Sequence, residues 1–163
     1  MKYLKHLEHQ RYMEIAWEEA KKAKCKKSHF GAVIVKGGKV ISTEHNAPVD
    51  EKECSICLRL KHGLGSGKGS ELCYSVHAEQ RALLNALKNR KNIEGGVMYI
   101  GHLKNGEIKK FSGKPFCTIC SKLIAASGLK GVMLYNGDNY VFLSSKEFHD
   151  ESFKTVIEYY SKP

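Results

Sequence analysis

The chain has 163 residues, 42% hydrophobic and 27% charged, which suits one packed domain over 1–163 and argues against a disordered tail. With 15 glycines and 3 prolines it is not collagen-like, and no apolar run approaches the ~20 residues that cross a bilayer, so no membrane attachment is expected. The formal charge of +10 suits an anionic partner without choosing between a nucleotide and a nucleic acid.

The first ten residues, MKYLKHLEHQ, carry charge but no apolar stretch of the secretory kind, so a cytoplasmic chain is expected. Residues 7–24 read as a helix, because Met13, Ala16, Trp17, Ala20 and Ala23 fall at the spacing of one buried face. Lysines crowd its C-terminal end, where cations suit the helix dipole. FGAVIVKGGKVIST then reads as a β-hairpin turning at Gly37-Gly38. Residues 45–76 form a long irregular stretch with three cysteines and the run GLGSGKGS. In a compact domain a connection of that length is functional or mobile.

HAEQRALLNALKNR is a strong helix former, VMYIGHL a strand, and Lys104-Asn105-Gly106 a tight turn into EIKKF. FCTICSKLIAAS follows Pro115 as a second helix, with Gly128 placed to end it. GVMLYN and YVFLSS read as two more strands. KEFHDESFKTVIEYY reads as a closing helix with Phe153, Val156 and Ile157 turned inward. Strands alternating with helices imply an α/β sheet covered by helices.

Six cysteines in a chain without an export signal point to metal binding or catalysis, since cytosolic thiols stay reduced. The sharpest arrangement is His77-Ala78-Glu79 at one helix start and Cys117-Thr118-Ile119-Cys120 at another. Zinc accepts imidazole nitrogen and thiolate sulfur, and a catalytic zinc uses three protein ligands and leaves one position open. Cys117 and Cys120, three apart, put both sulfurs on one side of a helical turn, near its positive end. His77 supplies the third ligand. Glu79 is placed to reach a metal-bound water and shuttle its proton, so the set suits hydrolytic removal of an amino group from a flat heteroaromatic ring.

H-x-E followed by P-C-x-x-C is the signature of zinc-dependent nucleobase and nucleotide deaminases. Here it reads H-A-E-Q at 77–80 and P-F-C-T-I-C at 115–120. Cys57-Leu58-Arg59, Glu71-Leu72-Cys73, Val76 to Gln80, the strand from Gly31 to Val35 and His45-Asn46-Ala47-Pro48 further resemble the deoxycytidylate deaminases, over about residues 10–136. The resemblance implies a cytidine-deaminase-like α/β/α sandwich with a five-stranded mixed sheet, one catalytic zinc on His77, Cys117 and Cys120, and homo-oligomers. It also implies that zinc-bound hydroxide attacks C4 of a cytosine nucleotide, dCMP first, with Glu79 carrying the proton. Asn46 matches a residue that contacts the sugar, and Ala78, the middle of the motif, is grouped with the substrate-binding residues.

Other readings stay open. His45 either lines the pocket or merely precedes Asn46 in a turn. Arg59 and Lys68 either meet a 5′-phosphate or belong to a solvated loop. Cys54, Cys57, Cys73 and Cys25 are either ligands of a second, structural zinc or small buried thiols, and spacing does not fix a fourth ligand. Phe116 stands where the family has Pro directly before Cys, and residues 104–114 are long for their place, so the pocket wall departs from the pattern. The alternatives are a deaminase of cytidine, guanine, or adenosine or cytosine in RNA or DNA, and a catalytically degenerate zinc-binding member. Nucleic acid is permitted by the charge but not favoured, since the basic residues are dispersed and few are Arg.

Overall fold

Residues 29–36 make a strand that is apolar on both faces: Ala32 and Ile34 lie on one, Val33 and Val35 on the other, and all four are buried. Such a strand needs cover from both sides. The computed structural model, which describes residues 2–4, 7–65, 69–113 and 117–161, supplies it as a sheet between two helix layers.

In chain order the elements are β1 (Lys2–Leu4), α1 (Leu7–Lys21), β2 (His29–Lys36), β3 (Lys39–His45), β4 (Ala47–Pro48), α2 (Leu58–Lys61) and β5 (Ser75–Val76). Then come α3 (Ala78–Lys88), β6 (Val97–Lys104), β7 (Glu107–Ile108), α4 (Thr118–Ala126), β8 (Gly131–Tyr135), β9 (Tyr140–Ser144) and α5 (Ser145–Tyr160). The main sheet runs β1-β9-β8-β6-β2-β3, with β7 paired to the end of β6. The β6–β8 pair is parallel and the others are antiparallel. Strands β2, β3, β6, β8 and β9 form the expected five-stranded mixed sheet, and the short β1 and β7 extend it.

One face carries Ala32, Ile34, Met98, Ile100, Val132 and Leu134 against α3, α4 and α5. The other carries Val33, Val35, Tyr99 and Met133 against α1. Helix α3 reaches the sheet through an alanine stripe, Ala78, Ala82 and Ala86, all fully buried, and the Ser42 hydroxyl donates to the Ala82 carbonyl at 2.9 Å. Both tight turns are two-residue loops with positive φ at each position, Gly37-Gly38 and Asn105-Gly106. Gly128, at φ +81°, follows the end of α4 as expected.

Three expectations need correction. Helix α1 ends at Lys21, and Trp17 is half-buried at its flank while Met13, Ala16 and Ala20 face the core. Helix α5 buries Phe148, Ser152 and Thr155, while Phe153 and Val156 are half-buried at its flank and Ile157 is exposed. The two hydroxyls donate to helix carbonyls, Ser152 to Phe148 and Thr155 to Glu151, so neither enters the interior unpaired. Residues 2–4, given no structure in the sequence reading, form a strand on β9.

Candidate active site

The site is built where two helices begin. His77 is the residue that starts α3, and its backbone N–H is held by the Gln80 side chain at 3.0 Å. Cys117 starts α4, and its sulfur accepts from the Cys120 backbone N–H at 3.1 Å. Helices α3 and α4 lie side by side on one sheet face, which brings the two starts together. His77 Nδ1 lies 3.3 Å from the Cys117 sulfur and 3.2 Å from that of Cys120, and the sulfurs are 2.7 Å apart. Among the described residues this is the one group of three metal-ligating side chains whose donor atoms converge within 4.8 Å.

The protonation pattern follows from that closeness. The Cys120 thiol donates to Cys117 and holds it down to about 4, while Cys120 itself, buried beside an anion, is pushed up. Hydrogen bonding to Cys117 and Cys73 raises His77 to about 11. One imidazole and two sulfurs, one already anionic, match the nitrogen and sulfur preference of zinc, and a divalent cation would replace the protons that now bind them together. Glu79, in the first turn of α3, is buried. Burial raises its pKa, the His77 charge opposes that rise, and the Cys117 anion adds to it.

His77, Cys117 and Glu79 line a cavity of about 690 Å³, and the fully buried Cys120 lies behind that lining. Asn46 and Ala78 line it, as do Arg59, Cys73 and Cys25. The Asn46 amide is fixed by the backbone: Oδ1 accepts from Phe30 N–H at 2.7 Å, and Nδ2 donates to the Ser28 carbonyl at 2.9 Å. Arg59 donates through Nη2 to Gly65 O at 2.9 Å, and Lys27 donates to Leu64 O at 3.0 Å. Burial, then the nearby Arg59 charge, lower the pKa of Lys27, and both cations line the cavity.

Some expected residues are not brought there. His45 turns away, with Nδ1 3.4 Å from Glu19 and Nε2 3.8 Å from Glu51, and it does not line the cavity. His45 is the last residue of β3, and Asn46 just beyond it turns its amide to the backbone of Phe30 and Ser28. Cys54 is buried with its sulfur 3.6 Å from the Ser75 hydroxyl, and it feels Cys25, Cys73 and Cys57 nearby. These four do not converge as the His77 group does. Cys73 leans instead toward His77. Lys68, Pro115 and Phe116 lie outside the described residues.

The sequence reading missed Lys27, Phe30, His102 and Lys104, which all line the cavity. Phe30 and His102 are cross-strand partners in β2 and β6, with rings stacked at 4.1 Å and 10° from parallel. A signal existed: His102 continues the inward row Met98, Ile100 by period two and is a polar residue on an apolar face. Residues 104–112 fold back as a wall, with Lys109 N–H donating to His102 O at 2.9 Å and Phe111 N–H to Tyr135 O at 2.6 Å.

A mixed sheet between helix layers, with one histidine and two cysteines gathered at two helix starts beside a buried glutamate, defines the class of zinc-binding deaminase folds. The sequence model of the cytidine and deoxycytidylate deaminase zinc-binding region matches residues 7–136, and the chain belongs to that family. The deoxycytidylate deaminase of Mycobacterium phage D29 is 34% identical over 128 residues, covering 75% of this chain and 89% of that protein. The Schizosaccharomyces pombe deoxycytidylate deaminase is 31% identical over 131 residues, 78% of this chain and 37% of that protein. Among solved structures, the dCMP deaminase of cyanophage S-TIM5 in complex with dCMP and dUMP superposes with a TM-score of 0.57 at 26% identity, covering 79% and 81% of the two chains. The cytidine deaminase of Burkholderia pseudomallei shares the fold, with a TM-score of 0.56 at 19% identity over 86% of this chain and 94% of that one. No helix among the described residues is long and apolar enough to cross a membrane.

Proposed function

We propose that this chain is a zinc-dependent hydrolase that deaminates dCMP to dUMP. The observation that carries the reading is the convergence of His77, Cys117 and Cys120 beside the buried Glu79 at the wall of a cavity large enough for a nucleotide. The D29 and yeast relatives named for deoxycytidylate, and the S-TIM5 enzyme bound to dCMP and dUMP, support the choice of substrate.

His77, Cys117 and Cys120 would hold the zinc, which when bound would lower the pKa of a water to near 7 and so supply a nucleophile at neutral pH. Glu79 receives the proton of that nucleophile and returns it to the departing amino group, in a buried place where its carboxyl accepts a proton readily. Asn46, locked by Ser28 and Phe30, presents its remaining amide valences to the sugar, and Ala78 lies against the ring. Arg59 and Lys27 favour a 5′-phosphate at the mouth.

A second, structural zinc would draw on Cys54, Cys57, Cys73 and Cys25, which lie within electrostatic reach of one another. Homo-oligomers are supported by Leu84 and Leu87 on α3 and Ile119 and Leu123 on α4, apolar residues exposed on two packed helices. The reading takes 1–163 as one deaminase domain and a cytoplasmic location, in keeping with six free cysteines.

Ammonia release measured by ultraviolet absorbance across dCMP, dCTP, deoxycytidine, cytidine, adenosine and guanine tests the assignment. The expected result is turnover highest on dCMP. Turnover of a purine alone, or of none of these, would overturn it, and zinc content per chain counts the metal sites.

A further inference from the structure

Among the described residues, three buried side-chain nitrogens lack a hydrogen-bond partner: Trp17 Nε1, Arg59 Nε and His102 Nε2. All three belong to residues that line the cavity. Protein interiors seldom leave such groups unpaired, so their gathering around one cavity marks where a ligand completes the set. His102 lines the same cavity as His77, Cys117 and the cations Lys27, Arg59 and Lys104. On the same face of β6, Ile100 precedes it by two residues and Lys104 follows it by two. Its ring is held flat against Phe30, whose N–H is bound by Asn46, and its carbonyl is bound by Lys109.

The charges that act on His102 are of one sign. Burial first, then Lys104 on its own strand, Lys109 from the returning arm and His29 from β2, lower its pKa to about 4. Lys27, Arg59 and Lys110 line the same cavity, Glu79 is the one carboxylate among the described lining residues, and Glu107 is paired with Lys109. The imidazole is therefore neutral at pH 7. An anion seated among these cations reverses the balance, because it offsets their repulsion and offers the imidazolium a partner.

We propose that His102 is a positioning residue for the phosphoryl group of the substrate, neutral in the empty cavity and protonated from solvent when that anion arrives. The proposal rests on the reading of the cavity as a nucleotide site, and the chemistry it names is a phosphate monoester. A nucleotide with its ring at the metal and its sugar at Asn46 directs its phosphoryl end past Phe30 and His102 toward Lys104, Lys27 and Arg59. The switch keeps an uncompensated charge out of the buried stack while the cavity is empty. It also makes the phosphorylated substrate create part of its own binding site.

Histidine-ring NMR on the zinc-loaded protein reads this directly, with His102→Gln assigning the resonance. In the free protein His102 is expected to stay neutral until the pH nears 4. With dCMP or millimolar inorganic phosphate its midpoint rises by about one unit or more, and deoxycytidine leaves it in place. In His102→Gln, KM for dCMP rises roughly tenfold with kcat within about twofold, as for one lost charged hydrogen bond. A midpoint unmoved by both phosphate-bearing ligands, one moved as far by deoxycytidine, or an unchanged KM would overturn the proposal. The wild-type titration stands whether or not the variant folds. A wild-type protein inactive on dCMP would count against the proposed function, while the inorganic phosphate titration would still decide the role of His102.

Discussion

Gly31 and Gly101 are cross-strand partners in β2 and β6, and the backbone of α1 at Ala16 lies directly over both. A Cβ at Gly31 would stand 2.0 Å from the Ala16 carbonyl oxygen, and one at Gly101 would stand 2.8 Å from the Ala16 carbonyl carbon. Backbone cannot yield as a flexible side chain does. Gly31→Ala is therefore expected to destabilise the protein by about 3 kcal/mol, with Gly101→Ala somewhat less, as for severe overpacking. Urea unfolding followed by circular dichroism measures both, and wild-type stability in Gly31→Ala would contradict the close approach.

Glu79 and the metal are separable. Glu79→Gln keeps the size and burial of the side chain but cannot carry a proton, so zinc content should equal that of wild type while kcat falls at least ~10²-fold. Atomic absorption and ammonia release on the same preparation give both numbers. Loss of zinc in this variant would mean that Glu79 serves the metal rather than the proton.

Removing the metal should act on stability as well as on rate. Without the metal, His77, Cys117 and Cys120 would be held together only by hydrogen bonds among themselves. Ligand binding to the native state alone stabilises it, so a chelated protein should melt at a lower temperature, lose turnover, and regain both when zinc is returned. Cys120→Ser should behave as the chelated protein does, and zinc should not rescue it. Calorimetry with and without chelator makes the comparison.

Asn46 is expected to matter twice. Its amide pairs the Phe30 N–H and the Ser28 carbonyl, and Asn46 is buried. Asn46→Ala leaves both backbone groups unpaired, and each such group costs about 1–3 kcal/mol, so unfolding in urea should begin at much lower concentration. Asn46→Asp retains the acceptor for Phe30 and should lose less stability than Asn46→Ala, while still weakening nucleotide binding.

Acid should loosen the fold through His102. Its folded pKa of about 4 lies below the ordinary 6.5, so the unfolded chain binds the proton first. Stability from this group is full above pH 6.5 and is lost as the pH falls toward 4. The His102→Gln protein should show a shallower decline over that window in urea midpoints taken at successive pH values. An identical slope in both proteins would sink the idea.

Local chemistry was legible in the sequence, and register was not. His77, Cys117 and Cys120 announce themselves because their spacing fits helix starts, and the structure gathers their donor atoms. The turns at Gly37-Gly38 and Asn105-Gly106 were equally plain, since positive φ at both positions asks for those residues. The inward face of α5 is not legible from composition, because apolar Phe153 and Ile157 outrank Ser152 and Thr155. A hydroxyl that bonds its own helix enters a core cheaply, and composition does not reveal that bond. The pairing of Phe30 with His102 is illegible in the sequence for a different reason. Their contact exists only once β2 and β6 are paired in one register, 72 residues apart in the chain (102 − 30).

The parallel pairing of β6 and β8 stops at Tyr99 and Met133, and the arm after Asn105-Gly106 enters the gap, bonded to His102 on one side and Tyr135 on the other. The groups proposed for bond breaking sit at the helix starts, while part of the cavity's wall is this hairpin. The lining of the cavity is thus drawn from separate pieces of sequence, with the hairpin, Lys27, Asn46 and Arg59 all lying apart in the chain from the helix starts.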